Sequence, residues 1–184
     1  MSRIAYVKHE EVTGKAKEAY EDLQSRGALT NMKQTLLQDY NTYEAFMGWY
    51  PSWNRLVEIV GQRAAVVYAH AVSSTNGCLL CSLFFVSDIQ DLGEDVATIQ
   101  FTEEEELLVA LAKQIVKNAT AVSDELFGQL KARYSDSEIV AIVGFACQMM
   151  ATNNFNSVLR VPLDDRLLPL QDKFQPADWR KDIK

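Results

Sequence analysis

No apolar run in this sequence is long enough to cross a membrane. The longest stretches, such as 64–72 and 139–146, fall well short of the roughly 20 residues a spanning helix needs. Met1-Ser2-Arg3-Ile4-Ala5-Tyr6 is not followed by the apolar segment of a signal peptide. Cysteine is scarce, with three residues, and this is not the framework of a secreted disulfide-stapled domain. Basic residues are outnumbered 18 to 25, for a formal charge of −7. The clustered Lys and Arg that duplex nucleic acid demands are therefore missing, as is a polybasic face for anionic lipid. No segment alternates apolar and polar residues for long, so a sheet is not expected. A P-loop, a Rossmann glycine pattern, a Ser–His–Asp signature, a low-complexity linker and an internal repeat are all lacking. These absences lead to the expectation of a soluble, cytoplasmic protein with reduced thiols and neither nucleic acid nor membrane as partner.

What remains is helical punctuation. Apolar residues make up 48% of the chain and charged residues 23%, an ordinary globular balance. A helix is expected over 13–26, closed by Gly27. Asn41 with Glu44 reads as a cap and its partner, opening a helix stopped at Pro51. An Ala- and Val-rich helix over 56–75 closes at Asn76-Gly77, with Gly61 as a point of division. A strongly apolar helix follows over 78–89 and ends near Gly93. Thr102 with Glu105 and Ser135 with Glu138 are capping boxes, and Ser123 caps a shorter helix between them. The acidic run 103–106 is read as a first helical turn complementing the dipole. The last long helix, 136–158, stops at Val161-Pro162. The expected organisation is one all-α domain over 1–170 and a tail over 171–184. The helices from Ala64 and from Ser135 are apolar nearly all round, which suits the centre of a bundle or a subunit interface.

The chemically distinctive feature is Cys78-Leu79-Leu80-Cys81. The Gly77 break puts Cys78 at or near a helix N-terminus, where unpaired N–H groups and the dipole stabilise a thiolate. Cys81 lies three residues on, on the same face, within reach of a disulfide. Two other accounts compete. The cysteines could be small buried hydrophobes beside Leu83, Phe84 and Phe85. Zinc needs four ligands, and no second CxxC supplies them. Cys147, in an apolar helix, is expected to pack in the core, and His9 to be solvated. Trp49, Tyr50 and Trp53 cluster around Pro51, either lining a pocket or packing the core.

The run Ser73-Ser74-Thr75-Asn76-Gly77-Cys78-Leu79-Leu80-Cys81 resembles the centre of the alkylhydroperoxidase D-like (AhpD-like), carboxymuconolactone decarboxylase superfamily. The stretch from Phe101-Thr102-Glu103 through Ser123-Asp124 to Ser135-Asp136-Ser137-Glu138-Ile139 is similar to its peroxidase-related branch. So is Asn153-Asn154-Phe155-Asn156, and the likeness spans 10–170. It implies an oligomer-forming AhpD-like helical bundle. It also implies a hydroperoxide substrate reduced by the cysteine pair, an external dithiol as reductant, and no bound cofactor or metal. The family's redox members carry a Glu twelve residues before the first cysteine and a His four after the second. Here Val66 and Phe85 stand at those positions, and neither can move protons. By the family's pattern Cys81 attacks peroxide and Cys78 resolves, whereas the dipole favours Cys78 as the more acidic, so the order stays open. His70, one helical turn after Val66, is the candidate substitute relay, against a hydrogen-bonded core histidine. The alternatives to a peroxidase are a non-catalytic oligomeric scaffold that binds a small apolar ligand, and a lactone decarboxylase.

Overall fold

Capping chemistry sets most of the element boundaries in the computed structural model, which describes residues 2–174. The helices are α1 Gly14–Ser25, α2 Asn31–Leu36, α3 Tyr40–Met47, α4 Trp49–Val60, α5 Gln62–Asn76, α6 Leu79–Asp91, α7 Glu103–Asn118, α8 Asp124–Arg133 and α9 Asp136–Leu159. Two 3₁₀ segments, Ala119–Ala121 and Asp165–Lys173, complete the order, so every regular element among the described residues is helical. Both expected capping boxes form, at Thr102/Glu105 and Ser135/Glu138, and the Ser123 side chain accepts from Leu126 N–H. Gly61 (φ 80°) and Gly77 (φ 73°) divide the chain where a left-handed or extended positive-φ residue is needed.

Two expected helix boundaries need correction. The cap of α3 is Asp39, whose carboxylate accepts the Thr42 N–H at 2.8 Å; Asn41 already lies inside the helix. Pro51 does not stop a helix but sits in the first turn of α4, where its missing N–H costs nothing. The break falls a turn earlier, at Gly48, because Pro51 cannot donate to the Met47 carbonyl. Nothing in the sequence analysis marks α2, which begins at Thr30 with a side-chain bond to Lys33 N–H.

The core is built around α5, whose Ala65, Val66, Tyr68, Ala69 and Val72 are fully enclosed. It packs against α7, α6, α9 and α4. Tyr68 keeps its hydroxyl paired by donating to the Ile142 carbonyl at 3.2 Å. On the flank of α5, Arg63 meets Glu94 and the buried Glu105, joining the α6–α7 loop to the first turn of α7. A second cluster under α1–α3 gathers Val7, Tyr20, Leu23, Leu36 and Leu37. The Asp165–Lys173 segment lies on α6, with Leu167 buried against Leu83 and Val86. The first residues of the expected tail thus belong to this segment, while 175–184 lie outside the described residues.

α9 is two-sided. Ile142, Phe145, Ala146 and Met149 face the core, whereas Val140 and Val158 are 72% and 59% exposed. Cys147, expected in the core, is exposed, because it falls on the outer face with Gly144 and Ala151. None of the helices among the described residues is long and apolar enough to cross a membrane.

Candidate active site at the cysteine pair

The turn between α5 and α6 creates the site. Gly77 takes the left-handed conformation, and the N–H groups of Gly77 and Cys78 return to the carbonyls of Ser74 (3.0 Å) and Ser73 (3.1 Å). This closure leaves Cys78 as the N-cap of α6, with its Sγ accepting the Cys81 N–H at 3.4 Å. A sulfur at that position lies in the positive end of the helix dipole. Both thiols are enclosed, at 1% and 3% exposure.

The two sulfurs titrate in opposite directions. Hydrogen bonds lower the Cys78 pKa against the rise that burial imposes, first from the Cys81 thiol, then from the Cys81 N–H, the Ser157 hydroxyl and the Leu80 N–H. Burial raises that of Cys81, and its bond to Cys78 adds to the rise; the Asn156 side chain works against both. When the pair loses one proton, Cys78 therefore gives up its own before Cys81 does.

Asn156 reaches the pair from α9. Its Nδ2 donates to Cys81 Sγ at 3.2 Å and approaches Met32 Sδ at 3.2 Å. Its Oδ1 is buried with no partner among the described residues. The C-terminal half of α9 is held beside α5 by the Asn76–Asn154 amide bond (3.0 Å) and by the Ser73 hydroxyl on Asn153 (3.4 Å). Asn156 carries no catalytic motif of its own in the sequence. The signal that marks it is a polar run, Asn153-Asn154-Phe155-Asn156, interrupting an apolar helix.

Cys81 and Asn156 open onto a cavity of about 160 Å³. Met47, Trp49, Phe84, Phe85 and Met149 give it an apolar wall. Trp49 stacks on Trp53 with centroids 5.3 Å apart and planes at 9°, so the aromatic cluster at Pro51 serves both core and cavity. Phe85 lines the cavity, and Val66 is fully buried in α5.

His70 opens instead into a different cavity, of about 430 Å³, with Ser74, Ser82, Asp95 and Lys173. Burial lowers its pKa to about 4, so the imidazole is neutral at pH 7. It makes no hydrogen bond to either sulfur, whose partners are those named above. No cluster of metal-ligating side chains occurs among the described residues.

Two solved structures share this architecture. One is an uncharacterized peroxidase-related protein from Silicibacter sp. TM1040, with a TM-score of 0.73 and 13% identity over 90% of this chain and 93% of that one. The other is the alkylhydroperoxidase AhpD core of an uncharacterized peroxidase-related protein from Ralstonia eutropha JMP134. Its TM-score is 0.69, at 14% identity over 96% of this chain and 98% of that one. The chain thus has the AhpD-like all-α fold. Neither any protein-family model nor any curated protein matches the sequence.

Proposed function

We propose that this protein is a thiol-dependent reductase of organic hydroperoxides that works through Cys78 and Cys81. The observation that carries the reading is the arrangement of the pair: an acidified sulfur capping α6, and a second sulfur, hydrogen-bonded to it, opening onto an apolar cavity.

The shared proton replaces the relay that Val66 and Phe85 cannot provide. Cys81 passes its proton to the Cys78 thiolate and attacks the distal oxygen of the hydroperoxide. The O–O bond breaks, the distal oxygen stays on sulfur as Cys81 sulfenic acid, and the alkoxide takes the proton from Cys78 to leave as alcohol. The Cys78 thiolate then attacks Cys81 sulfur and expels hydroxide, which solvent protonates to water. The peroxide gains two electrons, and the pair loses two to become a disulfide. An external dithiol returns the pair to its reduced form, and no metal or cofactor enters. Asn156 acts on the reacting atoms directly: its Nδ2–H steadies the Cys81 thiolate and its unpaired Oδ1 accepts the hydroperoxide O–H. His70, facing its own cavity, has no part in the step.

Titration of native thiols with and without cumene hydroperoxide tests the reading, with peptide mapping of a 78–81 link. Loss of two thiols per chain with that link is expected; two thiols that persist in excess peroxide would refute it. Asn156→Leu is expected to slow the oxidation about tenfold or more, since a hydrogen bond to a charged group is worth roughly 1.5–3 kcal/mol. A second reading, a non-catalytic binder of small apolar ligands, is favoured by the enclosure of both thiols and by Phe85 in the cavity wall.

A further inference from the structure

The cavity beside Cys81 contains a charge that peroxide reduction does not use. Lys33, in the short helix α2, is 7% exposed and lines the cavity. Its Nζ donates to the Ala28 carbonyl at 2.9 Å and stands 5.2 Å from the centroid of the Tyr50 ring. No carboxylate pairs with it among the described residues. An ammonium has three donors, and one of them is engaged. A buried charge of this kind ordinarily has an opposite charge beside it, because leaving water costs several kcal/mol.

The other charged group in the wall, Asp88, feels the attraction of the Arg166 guanidinium, which lies 4.4 Å from the Phe84 ring centroid, although burial outweighs it and raises the Asp88 pKa. Lys33 has no such counterpart. Met32, its neighbour in sequence, touches the Asn156 amide that touches Cys81, and Lys33 and Cys81 line the same small space. The volume limits what enters: an apolar cavity of about 150 Å³ accepts benzene, and this one is about 160 Å³.

We infer that Lys33 binds the anionic group of the substrate, which is the hydroperoxide of a small apolar carboxylic acid with a body about the size of one aromatic ring. The carboxylate supplies the missing counter-charge at Lys33, the ring occupies the wall of Trp49, Phe84 and Met149, and the –OOH group meets Cys81. This inference rests on the peroxide-reducing reading of the cysteine pair.

Two measurements separate the inference from that reading. Binding of 3-phenylpropanoate and of its methyl ester, followed by tryptophan fluorescence, requires no turnover. The acid is expected to bind at least tenfold tighter than the ester. Lys33→Met should abolish the preference and Lys33→Arg should keep most of it. Equal binding of acid and ester by the native protein would overturn the inference, as would a preference that survives in Lys33→Met. Should Lys33→Met fail to fold, the native comparison and the loss of the preference in high salt decide the matter alone. Turnover of cumene hydroperoxide against its para-carboxylate is the second measurement, and a higher kcat/KM for the anion is expected. Both peroxides reduced equally, with no binding preference, would remove the role of Lys33 and leave the peroxidase standing. Tight, Lys33-dependent binding of the acid with no reduction of either peroxide would do the reverse.

Discussion

Two titratable groups, the half-buried His70 and the buried Cys78, lie within one turn of chain on either side of Ser74, and their surroundings push them toward different tasks. Cys78 is held below the ordinary thiol range by hydrogen bonds, chiefly from Cys81. Its thiolate is therefore expected to react with iodoacetamide at a pH where a free cysteine is still protonated, and Ser157→Ala should move that profile upward. His70 is lowered from 6.5 to about 4 by burial alone. Its folded pKa lies below its unfolded one, so the unfolded chain takes up the proton first as the solution is acidified. The stabilisation is complete above pH 6.5, falls between 6.5 and 4, and is exhausted below. The shift corresponds to about 3 kcal/mol, since each pKa unit is worth about 1.4 kcal/mol. Melting temperatures measured across that window should drop more steeply for the native protein than for His70→Gln. In contrast, iodoacetamide rates of the two at pH 7 should agree within about twofold, because the imidazole touches neither sulfur.

The placement of Cys78 depends on an element boundary rather than on the cysteine itself. Gly77 at φ 73° turns the chain out of α5 so that the next residue caps α6. A side chain in that conformation costs roughly 1–2 kcal/mol. Gly77→Ala is therefore expected to lower stability by about that amount and to raise the Cys78 pKa as the sulfur leaves the cap, which thiol alkylation against pH would read. Boundaries of this kind were legible in the sequence because caps are local. Thr102 with Glu105, Ser135 with Glu138, Ser123, Gly61 and Gly77 each act within four residues. The breaks at Asp39 and Gly48 were misplaced, since two candidate caps stood within three residues and a proline acts on the carbonyl four residues before it. The cysteine pair was legible as well, as a spacing. Its surroundings were not, because Asn156 meets Cys81 across 75 residues and Lys33 reaches the same cavity from a six-residue helix too short to show a period. His70 illustrates the same limit. Periodicity placed it near Val66 on α5, but only packing decides which cavity that face meets.

At the scale of the whole molecule, the outer face of α9 presents an uncharged row to solvent. Val140, Gly144, Cys147, Ala151, Asn154 and Val158 are all exposed, and they recur at alternating spacings of four and three residues. That is the period of a helix seam packed against another helix, and the row carries no charge. Small residues at 144, 147 and 151 permit a close approach of backbones. A row on one face that meets its own copy generates two-fold symmetry, the commonest way for identical chains to associate. The core does not need these side chains, because Ile142, Phe145 and Met149 already fill the inner face. The expected assembly is a homo-oligomer in which α9 pairs with α9 of a second copy. Charge placed in the seam should break it, since an unpaired buried carboxylate costs several kcal/mol. Val140→Glu combined with Val158→Glu should therefore sediment as a 20.8 kDa monomer at micromolar concentration, while the native chain sediments as at least a dimer. Both positions are exposed within one chain, so the variant should keep its helical circular dichroism and its alkylation profile at Cys78. A native protein that sediments as a monomer would leave this seam without a partner and the prediction refuted. An oligomer untouched by both charges would place the interface on another face.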